Sequence, residues 1–286
     1  MSELVLINGR TVPAGEARVP VDDRGLLYGD GLFETLRVRG GRPFRLDRHV
    51  ARLFASCGEL AIDPAVSPDM LAVSAAQLVE ANAVSSGVLR IQITRGRGAG
   101  PDIPDDAEPT VLVTATSGRL YPAELYERGL RAVTAGFPRN ERSPLVRHKT
   151  TNYLECVLAR REAKLAGCDE AVMLNTVGRV AEAAASNIFL VTDGRLVTPP
   201  PQEGLLPGIT RADVMELARA EGVEVIERPV RPEELREADE VFLTNSVLEV
   251  CGLAELDGEA VGGGARDLTT RLAEAYAGLA SGEAGP

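Results

Sequence analysis

The chain carries 31 basic lysine and arginine side chains, of which only Lys149 and Lys164 are lysines. Lys149 stands in "VRHKTTNYLECVLARREAKLAG", directly before Thr-Thr-Asn-Tyr-Leu at the threshold of a helix. A lysine kept where arginine is otherwise used points to chemistry arginine cannot perform, such as condensation of a primary amine with an aldehyde. Burial beside other cations favours the neutral amine such chemistry needs, and Arg142, Arg147 and His148 precede Lys149. A surface lysine at a helix start is the competing reading. Lys164, late in the same helix, suits the negative end of the helix dipole and needs no other role.

Two further stretches carry chemistry. In "LLPGITRADVMELA", Gly208 clears side chains from the approach to Ile209, Thr210 and Arg211. Free backbone N–H groups of Ile209 and Thr210 at a helix start would attract phosphate, although a Pro-Gly turn with Thr210 as N-cap gives the same pattern. In "GRVAEAAASNIFLV", Glu182 lies among small residues before an apolar strand. Burying that carboxylate is costly unless it meets a cationic or protonated partner, a pyridine nitrogen included; at a strand edge it would face water instead. An amine for an aldehyde, a cradle for phosphate and a carboxylate for a ring nitrogen are together the three requirements of pyridoxal phosphate.

On these residues the chain resembles the class IV aminotransferase family, the fold-type IV pyridoxal-phosphate enzymes. That family includes branched-chain and D-amino acid aminotransferases, (R)-amine transaminases and 4-amino-4-deoxychorismate lyase. Its signature is Glu-x-small-x-x-Asn-apolar-aromatic, then Leu-x-Thr, then apolar-x-Gly-apolar-x-basic. The chain meets it with Glu182, Ala184, Asn187, Ile188 and Phe189, then Leu196 and Thr198, then Leu206, Gly208, Ile209 and Arg211. "DDRGLLYGDGLFETLRV" and "DRHVARL" extend the similarity to the N-terminal part.

The resemblance implies that Lys149 is the Schiff-base lysine and Glu182 the partner of the pyridine nitrogen. It implies phosphate contacts from Arg52, Ile209, Thr210 and Ser246, with Ser186, Asn187 and Val247 in the same cofactor site. Tyr153 matches, with a register offset, a tyrosine near the cofactor's phenolic oxygen in branched-chain enzymes. Two residues separate Lys149 from Asn152, as in the D-amino acid enzyme and the lyase, where branched-chain enzymes commonly have three. Tyr28 and Phe33 are the implied substrate-pocket residues. Phe33 replaces a carboxylate-binding tyrosine of the D-amino acid enzyme, and "GRGAGPD" lacks its arginine and histidine in register. Arg95 or Arg97 is then a candidate carboxylate clamp, against strand-end surface arginines as the bland reading.

The implied reaction is transamination between an amino acid or related primary amine and a 2-oxo acid acceptor. "LFETLRV", "ITRGRG" and "LTNS" resemble lyase-like members, so pyruvate elimination giving 4-aminobenzoate is the alternative. A dinucleotide-binding oxidoreductase is remote, because neither "GRGAG" nor "VGGGA" falls between a strand and a helix with an acidic residue downstream. The implied architecture is an α+β N-terminal domain over 1–117, a linker over 118–129 and a larger α/β domain over 130–286 that carries the lysine. The cofactor is expected in the cleft between the domains, in a homodimer whose partner chain completes the substrate pocket.

The elements that must position these residues are visible in the patterning. "LVLIN" before Asn8-Gly9, "LFETLRVR" before Gly40-Gly41, "GVLRIQITRG" and "PTVLVTATS" read as strands. Val50, Leu53, Phe54, Cys57 and Leu60 recur at helical spacing, with Arg52 off their stripe, and "PDMLAVSAAQLVEAN" is a second helix. Gly98 to Pro109 reads as a loop. Later, Leu154, Val157, Leu158 and Leu165 share a helical face ended by Gly167, Asp193-Gly194 joins two strands, and a helix runs from about Arg211. The segment after Gly262 should form one last helix and fray.

Composition excludes other classes. The 286 residues suit one large domain or two modest ones, and a net charge of -11 argues against nucleic acid or an anionic membrane as partner. No apolar run approaches ~18 residues and the N-terminus lacks a leader pattern, so a cytoplasmic protein is expected. Cys57, Cys156, Cys168 and Cys251 read as free thiols, and two histidines give little material for a metal cluster or a Ser-His-Asp triad.

Overall fold

The computed structural model describes residues 3–104, 106–118, 121–262 and 266–282. The chain divides into two compact units: Met1–Arg119 with His148–Tyr153, and Leu120–Arg147 with Leu154–Pro286. The lysine segment, expected with the C-terminal part, therefore packs with the first unit.

The first unit contains β1 (Leu4–Ile7), β2 (Arg10–Pro13), α1 (Arg24–Tyr28), β3 (Gly31–Arg39), β4 (Arg42–Pro43), α2 (Leu46–Glu59), α3 (Pro68–Ala81), β5 (Ser86–Thr94) and β6 (Thr110–Ser117). Its antiparallel sheet has the order β2-β1-β6-β5-β3-β4. The β1–β2 turn places Asn8 and Gly9 at positive φ, as a tight hairpin requires. Alternation sends Leu32, Leu36 and Val38 of β3 and Leu89, Ile91 and Ile93 of β5 into a core with Val50, Leu53 and Cys57 of α2 and Leu71, Ala75 and Leu78 of α3. Each leucine, isoleucine or valine among them contributes roughly 1.5–3 kcal/mol when buried. Period two sets Phe33 and Thr35 on the other face, opposite Gln92 and Arg90.

The second unit contains α4 (Ala123–Arg128), β7 (Leu130–Thr134), α5 (Leu154–Leu165), β8 (Glu170–Leu174), β9 (Val180–Ala183), β10 (Asn187–Thr192), β11 (Arg195–Thr198), α6 (Ile209–Ala220), β12 (Val225–Glu227), α7 (Pro232–Glu237), β13 (Glu240–Asn245), β14 (Glu249–Leu256), β15 (Glu259–Ala260) and α8 (Asp267–Ser281). Its mixed sheet runs β12-β11-β10-β13-β14-β7-β8-β9, with β15 paired to β14. The segment read as a linker contains α4, whose short apolar signal, with Leu125 buried, shows no helical period by itself. In α5 the apolar face differs from an ordinary amphipathic helix. Leu154, Val157, Leu158 and Leu165 are exposed, while Cys156, Ala159 and Ala163 pack inward, because small residues let the helix lie close to its sheet. Gly263, Gly264 and Ala265 of "VGGGA" and the last four residues lie outside the described residues.

Candidate functional site

In the first unit the hexapeptide His148–Tyr153 is fixed on both sides of Lys149. Phe33 N–H donates to the Lys149 carbonyl (2.9 Å) and Thr151 N–H to the Gly31 carbonyl (2.8 Å), pairing the segment with the start of β3. The Thr151 hydroxyl and the Asn152 amide both donate to the Gly29 carbonyl, at 2.7 and 2.8 Å. On the other flank, the His148 ring meets the Ser56 hydroxyl of α2 at 3.0 Å. Lys149 is thus held by its neighbours' backbone and polar contacts, and its amine is aimed at aromatic surface. Nζ lies 4.5 Å from the Phe33 ring centre and 5.5 Å from that of Tyr153, and the two rings meet edge to face at 5.3 Å.

Arg90, which the sequence reading passed over, enters the same group. Its guanidinium carbon stands 4.0 Å from the centre of the Phe33 ring. Burial lowers Arg90 from its ordinary value, with the charge of Tyr153 acting the other way. Its one side-chain hydrogen bond is a long one to Gln92 (3.4 Å), so no carboxylate pairs with it among the described residues. The signal available was an arginine on the face of β5 opposite the core, between Leu89 and Ile91.

Arg52 is braced. Its Nε and Nη2 donate to the two oxygens of Glu34 at 2.8 and 2.7 Å, and the His49 ring meets the same carboxylate at 2.7 Å. Burial alone would raise the Glu34 carboxyl, but the Arg52 charge and the hydrogen bonds of His49 and Arg52 bring it down to about 2. A carboxylate only accepts, so Nδ1 of His49 carries the proton. Burial lowers His49 from its ordinary value against the pull of Glu34, and the charges of Arg52 and Lys149 add to the lowering.

The other first-unit candidates have different settings. Arg95 is buried and donates to both oxygens of Asp30 and to the carbonyls of Leu60 and Ala61, a role in tying the loop after α2 to β5. Arg97 pairs with Asp22 at the surface. Tyr28 is about half exposed, accepts from the Gly100 N–H through its hydroxyl and has the Arg24 guanidinium 5.0 Å from its ring centre.

In the second unit Glu182 is buried on β9 and meets donors. Nη2 of Arg139 approaches Oε1 at 3.1 Å, while the Asn187 amide and the Leu206 N–H donate to Oε2 at 3.1 Å each. The cationic partner expected for a buried carboxylate is therefore supplied by the protein, from a residue 43 positions earlier (182 − 139) that the sequence reading missed. Burial would lower Arg139, but the neighbouring Glu182 and Cys156 outweigh it and raise it. Asn187 also donates to the Leu206 carbonyl (2.9 Å), and its Oδ1 would lie 2.0 Å from a Cβ at Gly208. Only glycine admits that approach.

Gly208, rather than Thr210, is the N-cap of α6, and no side chain caps the helix. The first intrahelical bond is Ala212 N–H to the Gly208 carbonyl, so the N–H groups of Ile209, Thr210 and Arg211 precede the ladder. The Thr210 hydroxyl instead meets Tyr276 at 3.1 Å, and Arg211 donates to the Pro199 carbonyl and Glu227. Ser246 and Val247 sit in a turn organised by Asn245, which accepts from the N–H groups of Val247 and Leu248 and donates to the Ser186 hydroxyl. Thr244, opposite Asn187 across the sheet, has a buried hydroxyl with no partner.

The second unit thus holds an uncapped helix start and a donor-lined buried carboxylate, and the first a lysine set among aromatic rings. The chain belongs to the Amino-transferase class IV family, which matches residues 31–256. It is 38% identical over 261 residues to a putative branched-chain-amino-acid aminotransferase of Methanocaldococcus jannaschii, covering 90% of this chain and 89% of the other. It is 35% identical to a D-alanine aminotransferase of Bacillus licheniformis, with 91% of each chain covered. Among solved structures, the branched-chain amino acid aminotransferase of Escherichia coli matches with a TM-score of 0.95 and 32% identity, covering 100% of this chain and 97% of that one. The 4-amino-4-deoxychorismate lyase of Pseudomonas aeruginosa matches with a TM-score of 0.84 and 38% identity, covering 95% of this chain and 97% of that one. Among the described residues no cluster of His, Cys, Asp and Glu could hold a metal ion, and no helix is long and apolar enough to cross a membrane.

Proposed function

We propose that the protein is a pyridoxal-phosphate-dependent aminotransferase that moves an amino group from an amino acid or related primary amine to a 2-oxo acid. The observation that carries this reading is the setting of Lys149, one of two lysines in the chain, with its amine against Phe33 and Tyr153. The second unit fits the cofactor's other needs. The uncapped start of α6 and Gly208 with no room for a Cβ suit a phosphate, and Glu182 amid donors suits a protonated ring nitrogen.

Bound pyridoxal phosphate supplies an aldehyde carbon for amines and a ring that takes up electrons released at the substrate's Cα. Lys149 Nζ provides the attachment point and, once released, the base that moves the proton from Cα. Glu182 holds its charge toward the ring nitrogen, and Arg139 and Asn187 fix its orientation. Arg52, Ile209, Thr210 and Ser246 bind phosphate, with Arg52 kept planar and in place by its two bonds to Glu34. Arg90 takes the substrate carboxylate in place of Arg95 and Arg97, because its guanidinium is half-buried without a carboxylate and lies on the ring that the lysine also touches.

The enzyme acts as a homodimer in the cytoplasm. Support for the dimer comes from exposed Leu26 and Leu27 on α1, apolar surface that a second copy would cover. A fully active monomer in sedimentation and kinetics would contradict it. The reaction is tested by following amino transfer from a panel of amino donors to pyruvate and 2-oxoglutarate. Aminodeoxychorismate is assayed in parallel, since the lyase similarity makes pyruvate release the second reading. Pyruvate release from aminodeoxychorismate without transfer activity would replace the transaminase by the lyase.

A further inference from the structure

Lys164 has a setting that the helix dipole does not account for. It lines an open surface depression of about 520 Å³ within the second unit, between the segment that enters α4 and one edge of α5. Arg128, Arg160, Arg161 and Lys164 contribute four cations to its wall, Asp169 contributes the one carboxylate, and Val157 gives apolar surface. In a chain of net charge -11 this local excess of positive charge is not a consequence of composition.

The four cations fall into two pairs. Arg128 grips Asp169 with two 2.7 Å hydrogen bonds, and Arg160 pairs with buried Glu170 at 3.2 Å and donates to the Asp169 carbonyl. These two are ordered by the protein. Arg161 and Lys164, three residues apart on α5 and so side by side, have no side-chain partner among the described residues. The dipole favours a cation at the end of a single helix. It gives no reason for cations from α4 and α5 to converge on one depression while two lack a counter-charge.

We propose that this depression binds a small phosphorylated metabolite, at a site built from residues outside the family signature. The Arg161 fork and the Lys164 ammonium supply complementary geometries for phosphate oxygens. Arg128 and Arg160, held by Asp169 and Glu170, give a preorganised positive wall, and Val157 takes the carbon skeleton. The volume lies within the range of ordinary small-molecule sites. The proposal is independent of the reaction assigned above.

Calorimetric titration of the full chain tests it, using cofactor-loaded, borohydride-reduced protein so that the cofactor phosphate stays in place. The probes are phenyl phosphate and inorganic phosphate. Saturable binding of one phenyl phosphate per chain is expected, tighter than inorganic phosphate, and weakened at least about tenfold by Arg161→Ala with Lys164→Ala. Arg90→Ala, which removes the proposed substrate clamp, should leave it unchanged. The proposal fails if the unmodified protein shows no saturable binding, if the double variant binds normally, or if Arg90→Ala abolishes binding. It also fails if the double variant instead changes the sedimenting species, which would make the depression a subunit contact. Both residues are exposed, and an unchanged melting temperature confirms that the double variant folds.

Discussion

Each unit buries a carboxylate on a strand and grips it with an arginine, and the two grips are built differently. Glu34 of β3 receives two guanidinium bonds and one imidazole bond, all from α2. Glu182 of β9 receives one guanidinium contact and two amide bonds, from Arg139, Asn187 of β10 and the Leu206 backbone, three separate segments. The first arrangement fastens one helix to one sheet and fixes the plane of Arg52. The second gathers loops around a carboxylate and so shapes a receptor. The difference predicts that damage at Glu34 appears mainly as lost stability and weaker cofactor retention, and damage at Glu182 mainly as lost turnover.

Removing an arginine and leaving its carboxylate buried is a different kind of damage from changing the carboxylate itself, and it should give the largest stability effect. Arg139→Ala takes the guanidinium away from buried Glu182, and should destabilise the protein by about 3–5 kcal/mol in denaturant unfolding. Glu182→Gln keeps the shape but loses the charge. It should bind cofactor and lose turnover by about 100-fold or more, the usual consequence of removing a preorganised group at a developing charge. Equal losses of stability in Glu182→Gln and Glu34→Gln would erase the contrast between the two sites.

Glu34→Gln sharpens the comparison through pH. The Glu34 carboxyl is held at about 2 in the fold against an ordinary 4.5, so its contribution is fully present above about pH 5 and is lost as pH falls through 4.5 toward 2. That contribution is on the order of 3 kcal/mol. His49, held below its ordinary 6.5, acts in the same direction, since the unfolded chain takes up a proton there first as pH falls. Stability of the unmodified protein should therefore decline on acidification from about pH 6.5. Glu34→Gln should be less stable at neutral pH and flatter below pH 5, and an unchanged acid limb would mean that the pair contributes nothing.

Gly208→Ala is a smaller perturbation of the second grip. A Cβ there would strike Asn187 Oδ1 and push the amide away from Glu182. The expected loss is about 1–3 kcal/mol of stability with weaker cofactor binding, read from unfolding and from cofactor titration. Thr210→Val is the smallest, removing only the hydroxyl contact with Tyr276 for about 1 kcal/mol.

The sequence exposed opposite halves of the two pairs. Arg52 stood out through the family resemblance of "DRHVARL", its place off the apolar stripe of α2 only leaving it free to reach a ligand, and Glu182 because it interrupts a run of alanines. Their partners Glu34 and Arg139 did not, since each pairing spans a separation that local patterning does not encode. The sheet strands and α2 were legible because period and turn residues are local signals. The exposure of Leu154, Leu158 and Leu165 was not, because apolar spacing reports a face and not what covers it. Arg90 was likewise hidden: a cation on a strand has meaning only once the opposite neighbour, here Thr35, and the adjoining Phe33 are known.

The central claim is that Lys149 carries the cofactor, and reduction followed by peptide mapping tests it most directly. Borohydride treatment of the pyridoxal-phosphate-loaded protein should place the pyridoxyl group on Lys149, with Lys149→Ala losing both the label and nearly all turnover while Lys164→Ala keeps both. A label on Lys164, or on neither lysine, would contradict the account.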